Sequence, residues 1–340
     1  MDQPEDPKLM GRLSAFAETA ILLVAGSLAA RAIAGAFDLG NRAEVEALLY
    51  RGAEPHWLEA ASAEAQWLGL RFGLTLIVAF LICWWIGGPS RKLAGLSRGE
   101  RSLGELVGFG IVMGVILAAP PFVLRTLNEL YGLGENTPFW DLMARSAWTP
   151  SFWLYMAVSS FILVPIVEEL FFRSYMLGRF RMHLSAGGAV LLSAAVFWVS
   201  HGQYLKLDPV LAANSALVLA SAAFMAWSVI RTGSVLPALI AHVIFNIPMS
   251  TPFRIAVVML ALTLVVVLHK RIGAAVAGFF QTLTATREWI FLTAITVVLA
   301  AVAYVVRTYE AAQLPLIGLF LILLIVGLIR RAPWTRRNQH

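Results

Sequence analysis

Residues 159–176 read SSFILVPIVEELFFRSYM and set two adjacent glutamates and an arginine within an otherwise apolar run. With the apolar residues before it, this run reaches the roughly 20 residues that a helix needs to cross a lipid bilayer. Charged side chains are costly inside a membrane, and those found there usually face the interior of a helix bundle and serve function. The stretch therefore predicts a membrane-spanning helix with candidate functional residues Glu168, Glu169 and Arg173.

The composition of the whole chain extends this prediction. Of its 340 residues, 59% are hydrophobic and 14% are charged, whereas an ordinary soluble domain has roughly 25% charged residues. A soluble protein of this length cannot bury so much apolar surface in one core. We predict an all-α, polytopic transmembrane bundle of about ten helices. They cover residues 15–37, 67–87, 105–124, 152–173 with an extension towards 181, 186–201, 209–230, 235–250, 253–268, 289–306 and 314–329.

Lysine and arginine residues concentrate in every second loop between the predicted helices, as in the tail RRAPWTRR of residues 330–337. Because such residues favour the cytoplasmic side, both termini are predicted to be cytoplasmic. Arg173 and Arg179 are counted with the cytoplasmic loops, and Arg254 with an outer loop. The Ala-, Arg- and Leu-rich composition indicates a bacterial cytoplasmic (inner) membrane. The formal charge of +6 is small and dispersed and does not indicate nucleic acid as a partner.

The chain divides into three predicted regions. Residues 1–150 hold the first three transmembrane helices and their loops, residues 151–250 a core with the candidate functional residues, and residues 251–340 further transmembrane helices and the basic tail. Residues 38–66 are predicted to form an acidic external loop, and residues 272–286 an amphipathic connector along the membrane interface. The single cysteine, Cys83, excludes a disulfide framework and a thiolate metal cluster.

Helical spacing groups the ionisable residues of the middle region. Glu169 and Arg173 are four residues apart and are expected to pair on one helix face, whereas Glu168 is rotated about 100° away. His242 and Asn246 are also four residues apart and are expected to point into the same space. Pro165 removes a backbone hydrogen bond just before the glutamates and permits a kink. Depth along the helices allows one site in the inner half of the membrane.

Three short motifs follow one another on separate predicted helices. They are EELFFR at residues 168–173, FWVSH at residues 197–201 and HVIFN at residues 242–246. The sequence resembles the CPBP group, the membrane-embedded CAAX-type endopeptidases and their bacterial relatives, over roughly residues 152–250. The resemblance implies an endopeptidase in which two residues activate water, two stabilise the tetrahedral intermediate and two hold the site in place. These pairs are, in order, Glu168 with His201, His242 with Asn246, and Glu169 with Arg173.

The sequence leaves one alternative open for the cofactor and two for the activity. Glu168, His201 and His242 are a possible zinc set, but they come from three helices without an HExxH motif, so a metal-free site is favoured. The favoured function is hydrolysis of a membrane-associated or CAAX-like protein or peptide within the lipid bilayer. The alternatives are a catalytically silent relative that acts as a scaffold or regulator, and a transporter that uses the charges as a proton relay.

Reporter fusions test the predicted topology. An enzyme reporter that is active only in the cytoplasm should be active at either end of the chain, because the positive residues set both termini on that side. A reporter that is active only outside the cytoplasm serves as the control at the same two positions. Activity of that second reporter at either terminus would contradict the predicted orientation.

Overall fold

A computed structural model describes residues 7–50, 55–97, 101–136, 142–143, 146–201 and 208–308. Within these residues the secondary structure is helical and no β-strand occurs, so the predicted all-α class is confirmed. The helices are α1 (Pro7–Phe37), α2 (Arg42–Tyr50), α3 (Trp57–Ile86), α4 (Leu103–Tyr131), α5 (Pro150–Arg181), α6 (Ala186–Ser200), α7 (Pro209–Thr232), α8 (Leu236–Asn246), α9 (Thr251–Val267), α10 (His269–Thr284) and α11 (Trp289–Thr308).

Nine of the ten predicted stretches fall on helices, and the tenth, residues 314–329, lies outside the described residues together with the basic tail. Length and composition qualify fewer of them as complete membrane spans. In the described ranges, five helices are long and apolar enough to cross a membrane, or up to six if α9 and α10 count as one bent span. The stretches in α6, α8 and α11 are shorter apolar helices. The protein is therefore a multi-pass membrane protein with several helices that do not span on their own.

Of the two predicted connecting segments, one needs correction. Residues 38–66 are not a loop, because α2 occupies Arg42–Tyr50 and α3 begins at Trp57. Buried Val45, Leu49 and Trp57 belong to one apolar cluster, which explains why this acidic segment folds. The predicted connector is the helix α10, which turns by 90° from α9.

Contacts at one end of the bundle join the start of α1, the α3–α4 loop and the turns between α5 and α6 and between α7 and α8. Ser97 Oγ donates to Gly233 O at 3.0 Å and so ties the α3–α4 loop to the α7–α8 turn. Arg12 Nε donates to His183 O at 3.4 Å and so ties α1 to the α5–α6 turn. This end is the one predicted to face the cytoplasm.

Glu288 adds the junction of α10 and α11 to the same end. Its carboxylate accepts from Ser185 N at 3.1 Å and from Ser185 Oγ at 2.6 Å, and it lies 3.7 Å from Arg12 Nη2. Burial alone would raise the pKa of Glu288, but the hydrogen bonds from Ser185 hold it below its usual range. Helix α1, which precedes the middle region, and the α10–α11 junction, which follows it, are thus both linked to the α5–α6 turn.

The opposite end is closed by a second set of polar contacts. Glu135 N donates to Asp208 Oδ2 at 3.0 Å, which joins the end of α4 to the start of α7. Arg254 at the start of α9 pairs with Glu129 near the end of α4. Arg254 is therefore a buried member of an ion pair, and its assignment to an outer loop is wrong.

Two glycines on α4 allow α8 to approach it closely. A Cβ atom at Gly110 would lie 3.0 Å from Pro237 O, and one at Gly114 would lie 2.9 Å from Ala241 Cα. Small residues four apart are the usual means by which membrane helices pack backbone against backbone. This close packing fixes the position of α8 and of His242, which follows Ala241.

A buried ion pair links α1 to the end of α5. Arg179 Nη2 lies 2.5 Å from Glu18 Oε2, and the Tyr175 hydroxyl donates to the other oxygen of Glu18. Arg179 Nη1 also donates to Gly87 O at 2.9 Å. Arg173 and Arg179 are both buried inside the bundle, so counting them as loop charges is wrong.

Glu18→Gln tests this link. The change leaves the buried Arg179 without its opposite charge, and removal of one partner of a buried pair costs about 3–5 kcal/mol. The yield of folded protein and its thermal unfolding midpoint in detergent should both fall. Glu59→Gln, at an exposed position on α3, is the matched control and should leave both values unchanged. Equal behaviour of the two variants would contradict a stabilising role for the pair.

Candidate active site

The helix that carries the two glutamates is irregular. Within α5, the segments are Pro150–Met156, a π-helical turn at Ala157–Phe161, Leu163–Glu168, a π-helical stretch at Glu169–Met176, and Leu177–Arg181. The backbone bends at Ile162, which has φ −120° and ψ −70°. Pro165 has no N–H to complete the ladder there, so the kink permitted by the sequence is present. Wide turns of this kind frequently lie at functional sites.

Glu169 joins α5 to α8. Its Oε1 lies 3.1 Å from Arg173 Nη1 and 2.8 Å from His242 Nδ1. All three side chains are buried, and Arg173 is 0% exposed. The predicted pairing of Glu169 with Arg173 is confirmed. The contact with His242 has no signal in the sequence, because it depends on how α8 packs.

Glu168 lies on the other side of the same imidazole. Its Oε2 is 3.9 Å from His242 Nε2, which is too long for a direct hydrogen bond. This oxygen is buried and makes no hydrogen bond within the described part of the chain. His242 is thus placed between the two carboxylates, with one nitrogen bound to Glu169 and the other facing Glu168.

His201 ends α6 beside this cluster. Its Nδ1 lies 2.9 Å from Phe197 O, and since a carbonyl oxygen only accepts, Nδ1 carries the hydrogen of this bond. In the neutral ring Nε2 is then an acceptor. The hydrogen bond to Phe197 O therefore fixes both the tautomer and the orientation of the His201 ring.

Phe197 supports three members of the site. The Arg173 guanidinium lies 3.9 Å from the centre of the Phe197 ring, and the rings of His201 and His242 lie 4.4 and 6.0 Å from it. A guanidinium over an aromatic face is a favourable contact, especially where water is excluded. The sequence placed Phe197 in a motif but indicated no role for it.

Asn246 does not share a partner with His242. Its Nδ2 donates to Ser160 O at 3.0 Å, in the π-helical turn before the bend of α5. The two side chains thus follow the same face of α8 but reach different parts of α5. Ser160 is a contact that no feature of the sequence indicated.

The zinc set of Glu168, His201 and His242 does not form a metal site in this arrangement. Among the described residues, no group of three or more His, Cys, Asp or Glu side chains is placed to hold a metal ion. The nitrogen that His242 turns to Glu169 is also already bound. The preference for a metal-free site stays a prediction from the sequence.

The fold and the buried cluster define a multi-pass membrane protein with a polar site inside its helix bundle. The family model of the Rce1-like type II CAAX prenyl endopeptidases matches residues 150–248. The predicted resemblance to the CPBP group is therefore confirmed for this segment, which is similar to that family of endopeptidases. Comparison with curated proteins and with solved structures gives no match to the chain.

Glu169→Gln should lower stability more than Glu168→Gln. Oε1 of Glu169 contacts two buried cationic or polar partners, whereas Oε2 of Glu168 makes no hydrogen bond to the residues that the structure describes. Loss of the Glu169 charge leaves Arg173 unpaired in a low-dielectric interior, at a cost of about 3–5 kcal/mol. Folded yield and the thermal unfolding midpoint in detergent provide the measurement. Equal losses in the two variants would refute the separate roles.

Proposed function

We propose that this protein is an intramembrane endopeptidase that uses a water molecule activated by Glu168 and His201. The observation that carries the proposal is the position of His242 between two carboxylates. Glu169 fixes one face of the imidazole at 2.8 Å, and Glu168 lies 3.9 Å from the other. The match of residues 150–248 to a protease family supports the reaction class.

The separation of Glu168 and His242 suits one bridging oxygen. Two hydrogen bonds of about 2.8 Å that meet at roughly 90° span the 3.9 Å between Oε2 and Nε2. Buried polar atoms nearly always have hydrogen-bond partners in folded proteins. A water molecule or an oxygen of the reacting group is therefore the partner that we propose for the buried Oε2 of Glu168.

The reaction needs a base for the water and an acid for the leaving amine. Glu168 takes one proton from the water, whose oxygen adds to the carbonyl carbon of the scissile peptide bond. When the C–N bond of the tetrahedral intermediate breaks, Glu168 returns that proton to the amine. The water supplies the hydroxyl of the new carboxyl group and the hydrogen of the new amine, so the step is balanced.

His201 assists as a second acceptor for the water. Its Nδ1–H is directed to Phe197 O at 2.9 Å, so in the neutral ring Nε2 is the nitrogen that accepts hydrogen bonds. A water that donates to both Glu168 and His201 has both hydrogens engaged, and it keeps a lone pair for the attack. This pairing follows the role that the resemblance implied for the two residues.

His242 and Asn246 are the proposed donors to the oxyanion. His242 donates from Nε2 in the form in which both ring nitrogens carry hydrogen. The Asn246 amide nitrogen has a second hydrogen besides the one directed to Ser160 O. Donors that are held in place before the reaction stabilise the developing charge most effectively.

Glu169 and Arg173 hold the site in place in this proposal. Arg173 is fixed by Glu169 at 3.1 Å and by the Phe197 ring at 3.9 Å. No step is assigned to a metal, because Glu168, His201 and His242 are not arranged as a ligand set. The substrate class we propose is a membrane-associated or CAAX-like protein or peptide. The proposed location is a bacterial inner membrane with both termini in the cytoplasm.

Glu168→Gln tests the proposed activity. The change keeps the size of the side chain and removes the base, so cleavage should be lost while the folded yield stays near that of the wild type. The measurement is a comparison of membrane peptides from cells with the wild-type protein and with the variant, at matched protein abundance. Glu44→Gln, at an exposed position on α2, is the control.

Cleavage products that require Glu168 and persist in Glu44→Gln would support the peptidase. Identical peptides from the wild type and Glu168→Gln would refute it. The catalytically silent scaffold would then be the better interpretation.

A further inference from the structure

We propose that Asn246 is also a positioning residue, which fixes the bend of α5 through the carbonyl group of Ser160 and so sets the distance between Glu168 and His242. The inference rests on the proposed function for its catalytic consequence. It assigns to Asn246 an effect beyond donation to the oxyanion, since it acts through the backbone of another helix. Three observations carry it.

The first observation is that α8 contacts α5 on both sides of the bend. Asn246 Nδ2 donates to Ser160 O, before Ile162, and His242 Nδ1 contacts Glu169, after it. The two side chains are one turn apart on a short helix of 11 residues. A helix of this length acts as a rigid unit, so the two contacts together fix the angle between the halves of α5.

The second observation concerns the backbone at the bend. In an α-helix the carbonyl of Phe161 would accept from residue 165, and in a π-helix the carbonyl of Ser160 would do so. Residue 165 is proline and has no N–H. An unpaired backbone carbonyl is expensive inside a membrane. The Asn246 amide donates to the carbonyl group of Ser160, whose π-helical donor at residue 165 is missing.

The third observation is the position of the reacting groups relative to the bend. Glu168 ends the segment Leu163–Glu168 that begins directly after Ile162. A change of angle at Ile162 therefore turns the segment that carries Glu168 and Glu169 relative to His242, which stays with α8 on the glycines of α4, and the contacts of both carboxylates change with it. The 3.9 Å between Glu168 Oε2 and His242 Nε2 depends on this angle. A misplacement of about 1 Å can reduce the rate about 10²-fold.

The distance between two spin labels measures the bend directly. Cys83 is replaced by serine, and labels are attached at Leu154→Cys and Met182→Cys, which are exposed positions on either side of Ile162. In Asn246→Leu the distribution of label distances should shift or broaden. Asn128→Leu is the matched control, because this buried amide donates to Asn136, away from α5. It should leave the distribution unchanged.

Kinetics on the same variants connects the bend to the reaction. Asn246→Leu should lower kcat roughly 10²-fold while KM stays within about twofold, because geometry changes and substrate contacts do not. Asn246→Gln keeps the amide and should recover part of both kcat and the label distance. Asn246→Asp keeps the size without the donor and serves in place of Asn246→Leu if that variant does not fold.

Each result supports or overturns the inference. An unchanged label distance in Asn246→Leu and Asn246→Asp would overturn it, and a loss of kcat would then be due to the oxyanion contact alone. A shifted distance with unchanged kcat would show that the bend does not set the catalytic geometry. If the wild type proves not to be a peptidase, the proposed function fails, but the label distance still decides whether Asn246 holds the bend.

Discussion

The carboxylate of Glu169 is shared by Arg173 and His242, and the rest of the site depends on this sharing. Placing charges in an apolar bundle is unfavourable unless each has a close partner. Glu169 meets that requirement for Arg173 on its own helix and at the same time orients an imidazole from α8. Because both contacts use the same oxygen, a single carboxylate both neutralises Arg173 in α5 and fixes the position of His242 in α8.

The irregular backbone of α5 follows from the same constraint. A regular helix presents residues 168 and 169 about 100° apart, and both must nevertheless reach His242. The bend at Ile162 and the wide turns on either side adjust the helix so that this occurs. Phe197 then closes the cluster from α6, in contact with Arg173 and with both histidine rings. The irregular backbone of α5 and the tight packing around it are thus two parts of one arrangement.

Sequence reasoning predicted those features that depend on neighbours along the chain. Apolar periodicity gives the positions of the helices, and spacing by four gives the pairing of Glu169 with Arg173. Contacts between distant helices have no such local signal. The approach of His242 to Glu169 depends on Gly110 and Gly114 of α4, which lie over 50 residues before the site. Arg254 pairs with Glu129 on the neighbouring helix α4, so a count of loop charges cannot show that Arg254 is neutralised. Asn246 contacts the backbone carbonyl of residue 160, which any amino acid would supply. The identity of residue 160 therefore gives no indication of this contact.

The ion pair between Glu18 and Arg179 has a consequence for how separable the protease-like segment is. The matched segment covers residues 150–248, and Arg179 lies within it, buried, while the neutralising Glu18 lies in the first helix. A fragment cut to the boundaries of the match would contain a buried cation without its anion. The family segment is therefore not an interchangeable module in this protein. The first helix of the protein, α1, neutralises a buried charge of the segment. Exchange of that segment between relatives therefore requires α1 to be exchanged with it.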